Sequence, residues 1–321
     1  MKILFGILKT LVPIRIYKVM YGISCLLLIS SCSVDVPNHA FQSQMQKIST
    51  DQDLGVDVDE TEAFYLESLS GTWLHWSEVS TCVKIGEAHL EQVNRTLFLV
   101  EVEHLAHQNL IETWNACQIE LTPVFGQQAR VPTPLKSSVY PLTTIHGYAL
   151  GANEDTQYTS GPMSEVWGLS LENETIDDMP TMADDPRIID QDEDGQPGVT
   201  LDIGETCQAY LTQRRITHYL GAFVQANEIS GSALSQTEQF IIDASNGFCK
   251  TPYQTRANPQ RSHFRRIRID GKGGALDLDE NQDSIITCDE VIPYKTALFQ
   301  IMEVNDERCD PSYVESGEQS K

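Results

Sequence analysis

Basic residues are scarce in this chain, which carries 22 Lys and Arg against 46 Asp and Glu and has a formal net charge of −24. A surface of this sign repels the phosphates of nucleic acids and anionic lipid head groups, and it attracts cations. We therefore expect no nucleic-acid partner, and we look for sites that hold cations.

Familiar catalytic motifs are missing as well. There is no G-x-S-x-G elbow, no H-E-x-x-H zinc motif, no phosphate-binding glycine loop and no dinucleotide fingerprint. His104 and His107, with Glu101, Glu103 and Glu112 nearby, could form a transition-metal site, but a solvated hairpin turn accounts for them better. Paired carboxylates for glycoside hydrolysis are too numerous to single out, so a hydrolase stays open as an alternative.

The first 31 residues have the pattern of a secretory signal. Four basic residues precede the apolar run 19–29, which is shorter than the roughly 20 residues that span a bilayer. The basic residues are Lys2, Lys9, Arg15 and Lys18. Because this segment holds no acidic residue, its removal would make the net charge −28.

Residues 29–32, Ile-Ser-Ser-Cys, follow the apolar run and resemble the lipobox of bacterial lipoproteins. The resemblance implies cleavage before Cys32, which would then carry diacylglycerol and an amide-linked acyl chain such as palmitate. Ser33 in place of Asp implies transfer to the outer membrane, so the expected partner is the membrane, reached through the lipid anchor. An ordinary secreted protein or a membrane anchor with an incidental Cys32 is the alternative.

Cysteine usage agrees with export. The chain has eight cysteines and no C-x-x-C spacing, which argues against zinc clusters and thioredoxin-like redox chemistry. Setting aside Cys25 and Cys32 leaves an even number, which predicts three disulfides in an oxidising compartment. The six are Cys82, Cys117, Cys207, Cys249, Cys288 and Cys309. Local pairing in that order is the simplest of the 15 connectivities.

The chain divides into five segments. After the signal (1–31), residues 32–60 lack an apolar period and predict a flexible, lipid-anchored tether. A β-rich body follows at 61–275, as one unit or as two lobes joined by the acidic loop 172–198. Residues 276–309 hold a loop resembling an EF-hand loop and a short C-terminal helix, predicted from 296–304, and 310–321 form a disordered tail.

The body alternates apolar and polar residues with a period of two, which predicts a mainly β fold. Residues 96–104 and 164–172 are clear examples, and further strand-like runs are 110–121, 142–150, 207–224 and 240–245. In 263–270 the pattern predicts that Ile267 and Ile269 face inward while Arg266 and Arg268 face solvent. A meander barrel or a β-sandwich fits this pattern best.

A weak signal favours the barrel. Gly71-x-Trp73 at the start of the first strand resembles a lipocalin motif, as does Thr217-x-Tyr219 farther on. The resemblance implies a calycin-like fold in which Trp73 closes one end of the barrel, with a cavity for an apolar ligand. A core tryptophan in a sandwich is the alternative.

Residues 279–290, DENQDSIITCDE, resemble the EF-hand calcium loop. The oxygen-ligand positions 1, 3, 5, 7, 9 and 12 of that loop correspond to Asp279, Asn281, Asp283, Ile285 (through its carbonyl), Thr287 and Glu290. Ser284 stands at position 6, where glycine normally supplies a positive φ. An acidic surface turn without a metal is the alternative.

A second acidic loop starts at Asp190, with Asp192 and Asp194 at the same spacing and Gly195 at position 6. It resembles the Asp-rich calcium loops of dockerins and thrombospondin type 3 repeats, but position 12 is Leu201, so half of the cage is missing. The segment 190–200 also resembles envelope lipoproteins of deltaproteobacterial type, which implies no activity.

Together these features predict a lipid-anchored, disulfide-linked, mainly β protein of the cell envelope with structural calcium and a binding or structural role without catalysis. An exported hydrolase of glycosidase or esterase type and a calycin-like carrier of an apolar ligand are the alternatives.

Overall fold

The computed structural model describes residues 69–309 except 86, 105–108, 125, 148–156, 206, 248 and 251–253. All of these residues belong to one unit, Asp57–Lys321. The predicted signal peptide, Cys32, the tether 32–60 and the tail 310–321 lie outside the described residues, so their predictions stay predictions.

Twelve strands and three short α-helices make up the described chain. The strands are β1 (Gly71–Ile85), β2 (Ala88–His104), β3 (Asn109–Leu121), β4 (Ala129–Arg130), β5 (Leu142–Gly147), β6 (Gln157–Thr159), β7 (Met163–Trp167), β8 (Val199–Ile203), β9 (Cys207–Gln225), β10 (Glu228–Ala244), β11 (Gln254–Ala257) and β12 (His263–Arg268). The helices are α1 (Thr133–Val139), α2 (Cys288–Val291) and α3 (Lys295–Leu298). Within this part of the chain, no helix is long and apolar enough to cross a membrane.

All strands belong to a single antiparallel sheet. Its order is β4-β8-β9-β10-β12-β1-β2-β3-β5, with β11 paired to β1 and with β6 and β7 paired to β9. The mainly β prediction is confirmed, but the sheet is open: it forms neither a closed barrel nor a sandwich of two sheets. The acidic segment 168–198 connects β7 and β8, which pair with neighbouring stretches of the same strand, β9.

The sheet curls around a core rich in aromatic residues. Strands β3 and β6 are distant in the strand order, yet the hydroxyl of Tyr158 on β6 donates to Glu112 on β3 at 3.3 Å. Trp114 and Tyr219, from β3 and β9, stack with ring centroids 5.7 Å apart. Helix α1 packs here because Leu135 and Val139, one turn apart, are both buried.

Arg266 and Arg268 do not face solvent, so that prediction is wrong. The side chain of Arg266 is fully buried on the concave face, where its Nη1 donates to Glu112 Oε1 at 2.7 Å. Its guanidinium also lies 5.3–5.5 Å from the rings of Trp73, Trp114 and Tyr158. A buried arginine is tolerated only with such a partner, because an unpaired buried charge is strongly destabilising.

The convex face of the sheet is covered by the C-terminal arm, defined here as residues 276–309. A second apolar cluster forms between the sheet and this arm. Its buried members are Leu74, Trp76, Leu97, Leu99, Cys117 and Ile269 from the sheet side and Leu278, Val291 and Phe299 from the arm. Each large side chain buried in this way contributes on the order of 1.5–3 kcal/mol. Because both faces are covered, Arg266 and Ile267, which alternate along β12, both have protein neighbours.

Two buried carboxylates accept hydrogen bonds from the main chain of the arm. Glu78 accepts hydrogen bonds from the Met302 N–H at 3.0 and 3.1 Å, and Glu91 accepts one from the Asn305 N–H at 2.7 Å. Arg261 binds both oxygens of Glu91, at 2.6 and 3.0 Å. Helix α3 ends at Leu298 instead of continuing to residue 304 as predicted, because Phe299 is extended and the N–H groups of Met302 and Asn305 bond to these carboxylates instead of to helical carbonyls.

Disulfides fasten both ends of the arm. Cys117 pairs with Cys288 and Cys82 pairs with Cys309, so the arm is joined to β3 and to β1. The third pair, Cys207–Cys249, is the one local pair that was predicted correctly. Closing loops of 42 to 227 residues stabilises the folded state by about 4–5.5 kcal/mol each in the chain-entropy treatment. The predicted pairs 82–117 and 288–309 are wrong because the arm places Cys288 beside β3 and Cys309 beside β1.

We expect Glu91→Gln to destabilise the protein and to make its free energy of unfolding depend less on pH in the acid range. Burial raises the pKa of Glu91, but hydrogen bonds from Arg261, Ser80 and the Asn305 N–H outweigh burial and leave this pKa below its ordinary value. The resulting stability is present above the pKa of the unfolded chain and is lost as the pH falls through the folded pKa. The variant should lose about 3–5 kcal/mol at pH 7, the usual cost of breaking a buried pair.

Urea unfolding at pH 7 and at pH 4 measures both effects. The free energy of unfolding should fall less between these two pH values in Glu91→Gln than in the wild type. Asp243→Asn is the matched control, since the pair between Asp243 and Lys250 is largely exposed and should contribute little. Equal losses in the two variants would contradict the role assigned to Glu91.

Candidate calcium-binding loops

The loop at residues 190–200 precedes β8 and gathers three carboxylates. One oxygen each from Asp190, Asp192 and Asp194 lies within 4.8 Å of the other two. None of these three aspartates forms an ion pair with a Lys, Arg or His in the part of the chain described here. Burial raises the pKa of Asp192, and the charges of Asp194 and Asp190 raise it further. The loop therefore concentrates negative charge without a protein cation to balance it.

The main chain of this loop donates hydrogen bonds to the side chain of its first aspartate. Asp190 accepts hydrogen bonds from the N–H groups of Asp194 and Gly195, at 3.2 and 2.9 Å. Asp194 accepts one from the Gln196 N–H at 2.8 Å. Numbered by loop position, the side chain of residue 1 accepts hydrogen bonds from the N–H groups of residues 5 and 6. The side chain of residue 5 accepts one from the N–H group of residue 7.

The loop at residues 279–290 folds in the same way. Asp279 accepts hydrogen bonds from the N–H groups of Asp283 and Ser284, at 3.2 and 2.8 Å. Asp283 accepts one from the Ile285 N–H at 2.8 Å. The same three positional contacts therefore recur in two segments whose sequences share little beyond the aspartate spacing.

Backbone conformation agrees between the two loops as well. Position 4 is left-handed in both, with φ of 59° at Glu193 and 60° at Gln282. Position 6 is also left-handed in both, with φ of 85° at Gly195 and 68° at Ser284. Ser284 thus adopts the conformation that glycine adopts easily, and its side chain makes that conformation costly.

The second halves of the loops differ. Glu290, at position 12, accepts hydrogen bonds from the N–H and the hydroxyl of Thr287, both at 2.8 Å, and caps helix α2. These bonds lower the pKa of Glu290, and its other oxygen, Oε1, is buried without a hydrogen-bond partner among the described residues. In the earlier loop position 12 is Leu201, which is buried in the apolar core and cannot ligate.

The predicted calcium ligands therefore lie closer together in one loop than in the other. Asp190, Asp192 and Asp194 converge, whereas the three carboxylates of 279–290 do not gather to the same degree among the described residues. Asn281 accepts the Asp283 N–H at 2.8 Å, and the side chain of Ile285 is exposed, which leaves its carbonyl as the expected ligand. Cys288 is joined to Cys117, so this loop is covalently attached to β3.

The other candidate metal site gains no support. His107 lies outside the described residues, and Glu112 is buried in its ion pair with Arg266. Sequence reasoning also missed Glu78 and Glu91. Glu78 lies in β1 between Ser77 and Val79, and Glu91 lies in β2 between Leu90 and Gln92. Nothing in these neighbours shows that the two carboxylates are buried.

Oxygen ligands from carboxylates, amides and carbonyls are the donor set that calcium prefers. Both loops supply such donors, and the residues present fit this ion. Comparisons of the chain with protein-family models, with curated proteins and with solved structures find no match.

We expect the exchange of serine and glycine at position 6 to change the free energy of unfolding in opposite directions in the two loops. Ser284→Gly should raise the free energy of unfolding by up to about 1 kcal/mol, because glycine tolerates positive φ. Gly195→Ser should lower it by a similar amount, since a Cβ there meets no atom within 4 Å and adds backbone strain alone.

Thermal unfolding in EDTA measures both changes. Ser170→Gly is the control for the exchange of serine for glycine, because Ser170 is exposed and does not have a positive φ. It should destabilise slightly by increasing the entropy of the unfolded chain. A loss of stability in Ser284→Gly equal to that in Ser170→Gly would contradict the equivalence of the two loops.

Proposed function

We propose that this protein is a lipid-anchored component of the cell envelope in which calcium has a structural role. Its function would be binding or envelope structure, without catalysis. The observation that carries the calcium proposal is the shared fold of the loops 190–196 and 279–285, with the same hydrogen bonds and the same left-handed positions. A common ion accounts for one local geometry around aspartates in two segments that are far apart in the chain.

Calcium would serve the fold by neutralising carboxylates that otherwise repel one another. Three aspartates of one loop lie within 4.8 Å of each other, and their mutual repulsion opposes folding unless a cation binds between them. The later loop continues into helix α2 and the arm that covers the convex face. A bound ion would therefore stabilise the arm together with the disulfides at its two ends.

Export and lipid attachment rest on the sequence of the first 33 residues. Three disulfides in the described residues support an oxidising compartment. Ser33 after the predicted acylated Cys32 supports an outer-membrane location.

The packing favours this proposal over the two alternatives. A cavity of about 650 Å³ beside the arm is lined in part by His263, whose Nε2 lies 3.2 Å from Glu78. Both oxygens of Glu78 also bind the Met302 N–H, so this carboxylate holds the arm and does not stand free for hydrolysis. Behind Trp73, where a calycin-like carrier would need space, the guanidinium of Arg266 lies 5.4 Å from the indole ring.

Lipid attachment is tested at Cys32. We expect Cys32→Ala to abolish labelling by a fatty-acid probe and to leave the precursor uncut, because the acylated thiol would be lost. Cys25→Ala is the matched control, since Cys25 lies within the leader and should not affect labelling. Labelling that persists in Cys32→Ala would overturn the lipoprotein assignment.

Calcium binding is tested by thermal unfolding. At about 100 times its Kd, calcium should stabilise the folded state by roughly 2.7 kcal/mol for one site and raise Tm by several degrees. Glu290→Gln removes a charged ligand and should abolish the part of this increase that comes from loop 279–290. The matched control is Asp289→Asn, which removes one charge from an exposed position that is not expected to ligate. If 10 mM calcium raises the wild-type Tm no more than magnesium does, the calcium proposal is wrong.

A further inference from the structure

Two buried oxygen atoms beside the loop 190–200 have no hydrogen-bond partner among the described residues. They are Oδ1 of Asp192 and Oγ1 of Thr200, and their residues are only 6% and 7% exposed. Thr200 lies beside Asp192, because the main-chain N–H of Thr200 donates to Oδ2 of Asp192 at 2.9 Å. Buried polar atoms nearly always have a partner, so two adjacent exceptions indicate that something binds between them.

The surroundings of these atoms select a cation over a hydrogen-bond donor. A carboxylate oxygen can be satisfied by a hydrogen-bond donor or by a cation, and the carboxylates of Asp190 and Asp194 close to Asp192 favour the cation. Residues 190, 192 and 194 form no ion pair within the described chain. A divalent cation would satisfy Oδ1 of Asp192 and Oγ1 of Thr200 at once and balance the clustered charge.

We propose that Asp192 and Thr200 form the buried half of a calcium site whose exposed half is Asp190 and Asp194. This inference rests on the proposed structural calcium, and it assigns to Thr200 a part in the cage that Leu201 cannot take. Thr200 stands at position 11, one residue before the position that supplies a bidentate glutamate in EF-hand loops. All of these donors are oxygens, which suits calcium better than zinc or copper.

The position of Thr200 connects this site to the sheet. Thr200 is the second residue of β8, and its neighbours Val199 and Leu201 are buried in the concave core. An ion held by Thr200 and by Asp190 would link the acidic loop to the strand that pairs with β9. We therefore expect this site to bind calcium more tightly than loop 279–290, where none of the predicted ligand residues is buried as fully as Asp192 and Thr200.

The test uses the otherwise complete protein carrying Glu290→Gln, so that the later loop contributes little. Calcium affinity is measured by titration calorimetry, and Tm is measured with calcium and with EDTA. Thr200→Val removes the hydroxyl at nearly constant shape and should weaken calcium binding by about tenfold. In EDTA its Tm should equal or exceed that of the parent, because an unpartnered buried hydroxyl has been removed.

Thr200→Ser retains the hydroxyl and should keep the affinity within about threefold of the parent. Asp192→Asn keeps the shape, removes the buried charge, and should abolish binding while raising Tm in EDTA. These opposite effects with and without calcium would not arise from a purely structural role, which would lower Tm in both conditions.

The possible failures can be told apart. Unchanged affinity in Thr200→Val, or loss of all calcium binding through Glu290→Gln alone, would overturn the site at Asp192 and Thr200 while leaving calcium in loop 279–290. Absence of calcium binding in the wild-type protein would overturn the proposed structural calcium itself.

Discussion

The ion pair between Arg266 and Glu112 joins β12 to β3 across the concave face of the curved sheet, and the rest of the structure depends on it. Neither side chain reaches solvent, and their atoms are 2.7 Å apart although two strands separate β12 from β3. Only a strongly curved sheet brings these side chains together across its concave face, where Tyr158 from β6 completes the group. A buried charge that loses its partner is strongly destabilising, so the curvature and this pair depend on each other.

The same requirement organises the convex face. Glu78 and Glu91 lie under the C-terminal arm, and each is neutralised by an arginine while it binds main-chain N–H groups of the arm. The arm is thus recognised mainly through its backbone and fastened by disulfides at Cys288 and Cys309. Basic residues are scarce in this chain, and Arg95, Arg215, Arg261 and Arg266 pair with carboxylates that folding has buried. Among the described residues, the three aspartates of the loop 190–200 form no ion pair with an arginine, a lysine or a histidine.

Several elements could be predicted from local pattern. Strand β9 matches the predicted run 207–224, and β3 matches 110–121, because alternation over such lengths rarely occurs outside strands. The aspartate spacing predicted one loop at 279–290 and another starting at Asp190, and the two segments share hydrogen bonds and left-handed positions. Strand β10 was predicted only from residue 240, since its first half, 228–239, is polar and carries a weak apolar signal. The outward orientation of Arg266 was wrong because the burial of its guanidinium depends on Glu112 in β3, a partner that the alternation along β12 does not reveal.

The sequence by itself determined the β class, the acidic surface, the even set of cysteines and the aspartate spacing of the loops, since each of these depends on composition or on residues near one another in the chain. Tertiary structure alone decided that Cys117 pairs with Cys288 and Cys82 with Cys309, because those partners are 171 and 227 residues apart. It also decided that residues 299–305 are not helical, since the carboxylates that bind the N–H groups of Asn305 and Met302 lie 214 and 224 residues earlier in the chain. Thr200 became a candidate ligand only in the folded chain, because burial beside Asp192 has no signature in the order of residues.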